Sequence, residues 1–383
     1  MLVNVGPSAD YYRRFAELEA RGVSALYEDW ASGVAVDEQV QGLIESLPRQ
    51  KWQANLVFAS ARWNGAPLEA YRDFRQWLVV HWDAVAATAM SRSTQTNEAG
   101  RCSPLLLQLG RIEGPISLLE VGASAGLCLY PDRYSYRYRT QRGIVSMDPD
   151  VGPSEVVLRC DVLGSIDLPA QLPEVVWRAG IDLSPIDVDD PDSLKWLETL
   201  VWPEHDERRL RLKAAARIVA ADPPLLIAGD LNEEVRGLAA VAPRDTTLVI
   251  FHSAVLAYLS ADERAHFVTE VQRIDAIWLS NEGSAVLPET RSRLPVGVDP
   301  RGDFILARDG YPVALAGGHG QFYRSLRKPQ ALGGSGRQNF AHQFGWVASS
   351  QTLSSVDRSS NTFLRRNSGG TSAKSGARSY LPS

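Results

Sequence analysis

The sequence predicts an α/β protein with a doubly wound, mainly parallel sheet, preceded by a helical region. Three observations carry this. Before position 91, apolar residues recur at intervals of three and four, the period of an amphipathic helix. From position 116 onward, short apolar runs alternate with amphipathic segments at the spacing of β-α units. The first of those runs, Ile116 to Val121, passes directly into Gly122-Ala-Ser-Ala-Gly126. A buried strand that turns tightly on glycine exposes backbone N–H groups at its C-terminal edge, where ligands sit in open α/β sheets.

The 383 residues suffice for two domains, or for one domain with an extension. Hydrophobic residues at 44% and charged residues at 22% are ordinary for a globular enzyme. No apolar run reaches the roughly 18–20 residues of a membrane-spanning helix, and the N-terminus shows no signal-peptide core. The three cysteines are far apart and without metal spacing, as in a cytoplasmic protein with reduced thiols. Net charge is −5 but uneven. From Arg327 to Ser383 there are eight basic residues and one Asp, which leaves −12 for residues 1–326. An acidic body of that kind argues against nucleic acid as partner.

Residues 1–113 are expected to form the helical cap. Its stripes are Tyr12, Phe15, Leu18, Val23, Leu26, Tyr27 and Trp30; then Val36, Val40, Leu43, Ile44 and Leu47; then Leu68, Tyr71, Phe74, Leu78 and Trp82. Ser103-Pro104 reads as a helix start, with Ser as N-cap and Pro at the first helical position. Just outside it stand Asn97, Glu98 and Arg101, polar heads placed for a substrate or for solvent.

Residues 114–326 carry the alternation. After the glycine turn, Pro131 limits the next helix to about two turns. Tyr134, Tyr136 and Tyr138 alternate with polar residues as a strand does, and Glu155 to Cys160 and Glu174 to Ile181 are further strands. Pro223 to Ala228 is a strand ending in Gly229-Asp230, and Thr247 to Ser253 is one ending in His252-Ser253. Ser260 and Glu263 form a capping box, Ile274 to Ser280 is a strand, and Phe304 to Ala307 with Pro312 to Ala316 form a closing hairpin. Beyond residue 327 the Ser-, Gly- and Arg-rich sequence reads as a disordered basic tail.

Two chemistries use a turn such as Gly122–Gly126. As Gly122-x-Ser124-x-Gly126 it has the form of the nucleophile elbow of a serine esterase of the α/β-hydrolase type. That fold places strands and a His-Gly-Gly oxyanion run upstream of the serine, whereas here the upstream residues read as helical. The nearest run, Gly317-Gly-His-Gly320, lies far downstream. As Glu120-x-Gly122-x-x-x-Gly126 the stretch resembles the first motif of class I S-adenosylmethionine (SAM) dependent methyltransferases, which have a Rossmann-like sheet. That resemblance implies SAM as cofactor and a small-molecule acceptor, with no metal. Glu120 would accept from the cofactor's ammonium, and Gly122, Ser124 and Gly126 would line its methionine portion. Asp182 would grip the ribose, with Asp148 and Asp150 as alternatives, and Asp230 would accept from the adenine amino group. His252 is the candidate general base. Ser253, Asn97, Glu98 and Arg101 fall to the substrate side. A silent methyltransferase-like binding protein would keep the pocket without the base.

Five stretches resemble a more specific group: Thr96 to Cys102, Leu119 to Leu127, Trp177 to Asp187, Trp196 to Pro203 and Phe251 to Tyr258. Together they are similar to an uncharacterised bacterial family known only as domain of unknown function 2332. That likeness spans roughly residues 10–325 and implies the same helical region and methyltransferase-like fold.

One expectation needs only the sequence. Truncation after Leu326 should leave the thermal midpoint nearly unchanged, because the tail's composition cannot support a core. Calorimetry on the two chain lengths would show a large drop if Phe340 to Trp346 pack on the body.

Overall fold

Strands start only at Ile116, and everything described before it is helical or turn. The computed structural model describes residues 7–326 apart from Thr96 and Ser165, so the tail expectation lies outside the described residues. The helical region comprises α1 (Pro7–Phe15, continued by a π-turn), α2 (Ala25–Val34), α3 (Glu38–Glu45), α4 (Ala54–Trp63) and α5 (Tyr71–Ser91). Its stripes close on an aromatic core of Tyr12, Phe15, Tyr27, Trp30, Phe58 and Phe74, in which Trp30 stacks on Phe74 with centroids 3.8 Å apart. Trp196 and Trp202, from far along the chain, complete that core. Leu18, Val36 and Leu68 instead stay exposed at the rim.

Next come α6 (Cys102–Leu109) and β1 (Ile116–Val121), then β2 (Ser135–Thr140), β3 (Gly143–Met147), β4 (Val157–Leu163) and β5 (Val175–Asp182). They are followed by α7 (Pro191–Leu200), α8 (Asp206–Ala221), β6 (Leu225–Ala228), α9 (Leu231–Ala239), β7 (Thr247–Ser253) and α10 (Ala261–Val271). The chain closes with β8 (Ile277–Gly283), α11 (Pro288–Ser292), β9 (Phe304–Arg308), β10 (Tyr311–Ala316) and β11 (Phe322–Ser325). The helix start expected from the Ser260/Glu263 capping box is present, and Asp190 caps α7 with Pro191 at its first position. Ser103 is not an N-cap, because a 3-10 turn at Ala99–Arg101 runs straight into α6 and places Ser103 inside it.

Among the described residues the strands form one sheet in the order β3-β2-β4-β11-β10-β9-β8-β7-β1-β5-β6. It is mixed, with six of the described strand pairings parallel and four antiparallel. The segment β6-β5-β1-β7-β8 is parallel throughout, whereas β8, β9, β10 and β11 pair antiparallel in succession. The insertion between the glycine turn and β5 enlarges the sheet. It supplies β2, β3 and β4, which join the sheet through β4 beside β11. For the same reason no helix follows β1, only a 3-10 turn at Leu127–Leu129, and the expected two-turn helix is absent. Tyr134, Tyr136 and Tyr138 are fully buried, each donating its hydroxyl to a main-chain carbonyl at 2.6–2.8 Å. This satisfies a buried polar tip on an apolar ring.

Side chains of a strand alternate between the faces of its sheet. Ile116 and Leu118 of β1 join the face covered by α6, together with Val249, Phe251 and Leu279. Leu119 and Val121 join the opposite face, with Ile250, Trp278 and residues of α9 and α10. This parity decides which of the strand-end residues can meet.

Candidate functional site

The turn after β1 is built on left-handed backbone, with φ of +74° at Gly122, +50° at Ser124 and +70° at Gly126. A side chain at Gly122 would drive its Cβ to 2.4 Å from Val255, so a packed neighbour, not a ligand, keeps that position bare. The expectation of free amides at this turn is corrected. Gly122 and Ala123 donate to Ile181 O (2.8 and 3.0 Å), and Gly126 donates to Ala123 O (2.7 Å). Ser124 N donates to Asp182 Oδ2 and Ala125 N to Asn97 Oδ1, both at 2.9 Å. The turn is thus closed by side chains from the neighbouring strand and from the segment before α6.

Asp182 ends β5, next to β1, and its other oxygen accepts from Ser184 N at 2.9 Å. Asp148 and Asp150 follow β3 at the far edge of the sheet, where Asp148 pairs with Arg137 at 2.9 Å. Only Asp182 of the three acids reaches the turn. Asp230 follows β6 and caps α9, accepting from Asn232 N at 2.8 Å. Ser124 Oγ donates to Gln95 Oε1 and accepts from Asn97 Nδ2, both at 2.9 Å. Asn97 is thereby spent on the turn through both ends of its amide.

Glu98 departs most from its expected role. Its carboxylate, 1% exposed, pairs with Arg208 at 2.7 Å and Arg211 at 3.0 Å, both from α8, and accepts from Gly100 N at 2.9 Å. Burial alone would raise its pKa, but the two guanidiniums, His319 and the Gly100 N–H outweigh burial and hold it down at about 2. It is an ion-pair hub that fixes the segment on α8 and is closed to substrate.

His252 and Ser253 were expected at one site, and strand parity separates them. His252 lies beside Val121 in register, on the α9/α10 face, and is fully buried. Trp278 Nε1 donates to its Nε2 at 3.0 Å, and an indole can only donate, so Nδ1 carries the proton toward Glu282 Oε1 at 2.7 Å. No nitrogen is left to take a proton from a substrate. Ser253 falls on the Glu120 face, its hydroxyl accepting from Asn281 Nδ2 at 3.0 Å.

On that face two groups stand out. Glu120 is 6% exposed and its Oε2 has no hydrogen-bond partner. Burial first, then Cys128 and Asp182, push its pKa well above the carboxylate range, against a smaller lowering by Arg101. Arg101, 8% exposed, donates through Nε to Gly318 O and through Nη1 to Ser253 O, both at 3.0 Å. The segment Gly317–Gly320 that receives it packs so closely that a Cβ on Gly320 would lie 1.8 Å from Gly100 O. Sequence reasoning did not connect that run of glycines to this edge. Its signal was the Gly-Gly-His-Gly composition, which permits backbone-to-backbone contact. Asn281 was also missed; its Oδ1 is buried without a partner.

The chain belongs to the bacterial family described as "Uncharacterized protein conserved in bacteria (DUF2332)", whose model matches residues 61–324. No curated protein matches the chain.

Two predictions follow from this geometry. Glu98 has a depressed folded pKa, so its contribution to stability is complete above the unfolded carboxyl range. It is lost as pH falls from about 5 toward 2, an amount of about 3 kcal/mol. Glu98→Gln should flatten that part of a stability–pH profile measured by urea unfolding and cost about 3–5 kcal/mol at pH 7, because two guanidiniums lose their counter-charge. His252→Ala should cost about 3 kcal/mol by stranding Trp278 N–H and Glu282. A stable His252→Ala variant with selectively reduced turnover would restore the base assignment.

Proposed function

We propose that the chain is a SAM-dependent methyltransferase acting on a small-molecule acceptor, with the cofactor at the C-terminal edge of β5, β1 and β7. The observation that carries this reading is Glu120. A carboxyl that is nine-tenths buried, with one oxygen unpartnered, is costly in an empty fold and suits an ammonium group.

The sheet supports the reading. Numbered by their order within the parallel segment, its strands run third, second, first, fourth, fifth from β6 to β8, with an antiparallel strand beyond. The order reverses at β1, and in open α/β sheets such a switch point is where ligands bind. Glu120 is the last residue but one of the first strand of that order, Asp182 ends the second, and Asp230 follows the third. In this reading Glu120 holds the ammonium of the methionine portion. Asp182, with one backbone N–H on each oxygen, keeps lone pairs for the ribose hydroxyls, and Asp230 faces the adenine end. The cofactor supplies an electrophilic methyl group. The turn contributes shape rather than an amide cradle, since its own N–H groups are engaged.

The serine-esterase reading loses its main support. Ser124 Oγ gives its proton to the Gln95 carbonyl, and His252 is committed on the other face of the sheet.

Glu120→Gln tests the proposal with two readouts of opposite sign. The raised folded pKa means that folding takes up a proton. The stability contribution is therefore full below the unfolded carboxyl pKa and is lost as pH rises toward the folded one. Glutamine escapes that loss, so the ligand-free variant should be more stable than wild type at pH 8, by thermal unfolding. Its affinity for SAM by calorimetric titration should fall by about 1.5–3 kcal/mol. Wild-type protein that fails to bind SAM, and is labelled at Ser124 by a fluorophosphonate, would replace the reading with the esterase.

A further inference from the structure

Arg101 is the least compensated buried charge on the Glu120 face. Its bonds to Gly318 O and Ser253 O use two of the five N–H groups of a guanidinium. Among the described residues no carboxylate lies within ion-pairing distance of it. The nearby buried acid, Glu98, is taken by Arg208 and Arg211. The other neighbour, Glu120, is held toward its neutral form. Arg101 also stands within repulsive range of Arg208, whose own pKa is lowered by burial and then by Arg101 and Arg211, despite Glu98. A buried cation with a cation for a neighbour and only carbonyl dipoles for partners is expensive unless an anion joins it.

The surroundings suit an anion that arrives from outside. Ser253 Oγ accepts from Asn281 Nδ2, which leaves its O–H free to donate, on the same residue whose main-chain carbonyl receives Arg101. Tyr258 is 63% exposed and lies within electrostatic range of Arg101. A clamp between the end of β7 and the 317–320 segment would need only the two carbonyl bonds, for which a neutral donor would serve. The retained full charge is what a clamp leaves unexplained.

We propose that Arg101, with the Ser253 hydroxyl, binds a carboxylate group of the acceptor, which makes the substrate class a small carboxylic acid. This rests on the methyl-transfer reading for the word acceptor, but the anion site stands on its own geometry. The two also agree in chemistry. A carboxylate nucleophile has no proton to surrender, and His252, offered by the sequence as a base, is closed to this face.

The test uses the full chain and acetate, the smallest carboxylate, with acetamide as neutral isostere and chloride at matched ionic strength. Acetate should raise the Tm of wild type by several degrees over chloride, and acetamide should not. Arg101→Gln should abolish the acetate increment, Arg101→Lys should retain part of it, and Ser253→Ala should reduce it. Equal effects of acetate and chloride on wild type, or an acetate increment that survives Arg101→Gln, would overturn the site. If Arg101→Gln does not fold, Ser253→Ala decides, and an undiminished increment there overturns it. Titration with S-adenosylhomocysteine separates the two readings. A chain that gains the acetate increment but binds no S-adenosylhomocysteine keeps the anion site and loses the methyl-transfer reading; the reverse pattern keeps only the latter.

Discussion

Three left-handed residues within five positions leave a turn in which only the Gly126 amide finds a partner inside the turn, and an unpaired buried amide costs roughly 1–3 kcal/mol. The chain meets this at Gly122–Gly126 with groups from elsewhere, Ile181 O and Asp182 from β5 and Asn97 from the segment before α6. Much of the edge depends on that closure. Once Asn97 is fixed to the turn, Glu98 can reach Arg208 and Arg211, and Arg101 can span from the end of β7 to Gly318. The segment 97–101 is therefore a strap across the strand ends, held at one end by the turn and along its length by α8. Loss of Asp182 would loosen both the turn and, through it, the strap.

Much of this was legible in the sequence, and the boundary has physical reasons. Helical periods, the capping box at Ser260, the apolar strand Ile116–Val121 and the acid at Asp182 are local signals, and the structure has them where local rules put them. The attachment of the insertion beside β11 is a long-range pairing with no local signature. The turn's composition announced a tight turn, but not which partners its amides would find, because Asn97 and Asp182 lie 27 or more residues away in sequence. Glu98, Asn97 and Arg101 were recognised as one polar group. Their separation into hub, pin and uncompensated cation depends on α8 and on the 317–320 segment, which only folding brings near.

His252 shows how one residue of parity changes a functional reading. At the end of a strand, neighbours in sequence point to opposite faces, so His252 and Ser253 cannot serve one ligand. The histidine nonetheless acts on the site at a distance. Glu282 Oε1 accepts from its Nδ1–H together with the N–H groups of Val255 and Leu256, so three bonds converge on one oxygen. Those bonds fix the chain immediately after β7, where Ala254 is left-handed at φ +58°. A non-glycine residue holds that conformation only where its surroundings impose it, at a cost of about 1–3 kcal/mol.

That strained residue joins the two faces of the sheet. Ser253 precedes it and supplies both the carbonyl that receives Arg101 and the hydroxyl beside it, while Tyr258 follows on the same connection. The direction in which Ser253 and Tyr258 present themselves to the Glu120 face is set by the His252–Glu282–Trp278 network behind the sheet. Behind the sheet both ring nitrogens are bonded and Glu282 Oε1 is saturated, although Glu282 Oε2 and the Ser280 hydroxyl stay without a hydrogen-bond partner; on the other face Glu120 Oε2 and Asn281 Oδ1 do the same, and Arg101 is bonded only to carbonyls. What sets the Glu120 face apart is charge rather than hydrogen-bond count: a carboxyl and a guanidinium are buried within electrostatic range of each other at the switch point of the sheet without forming an ion pair, a costly arrangement in a low-dielectric interior.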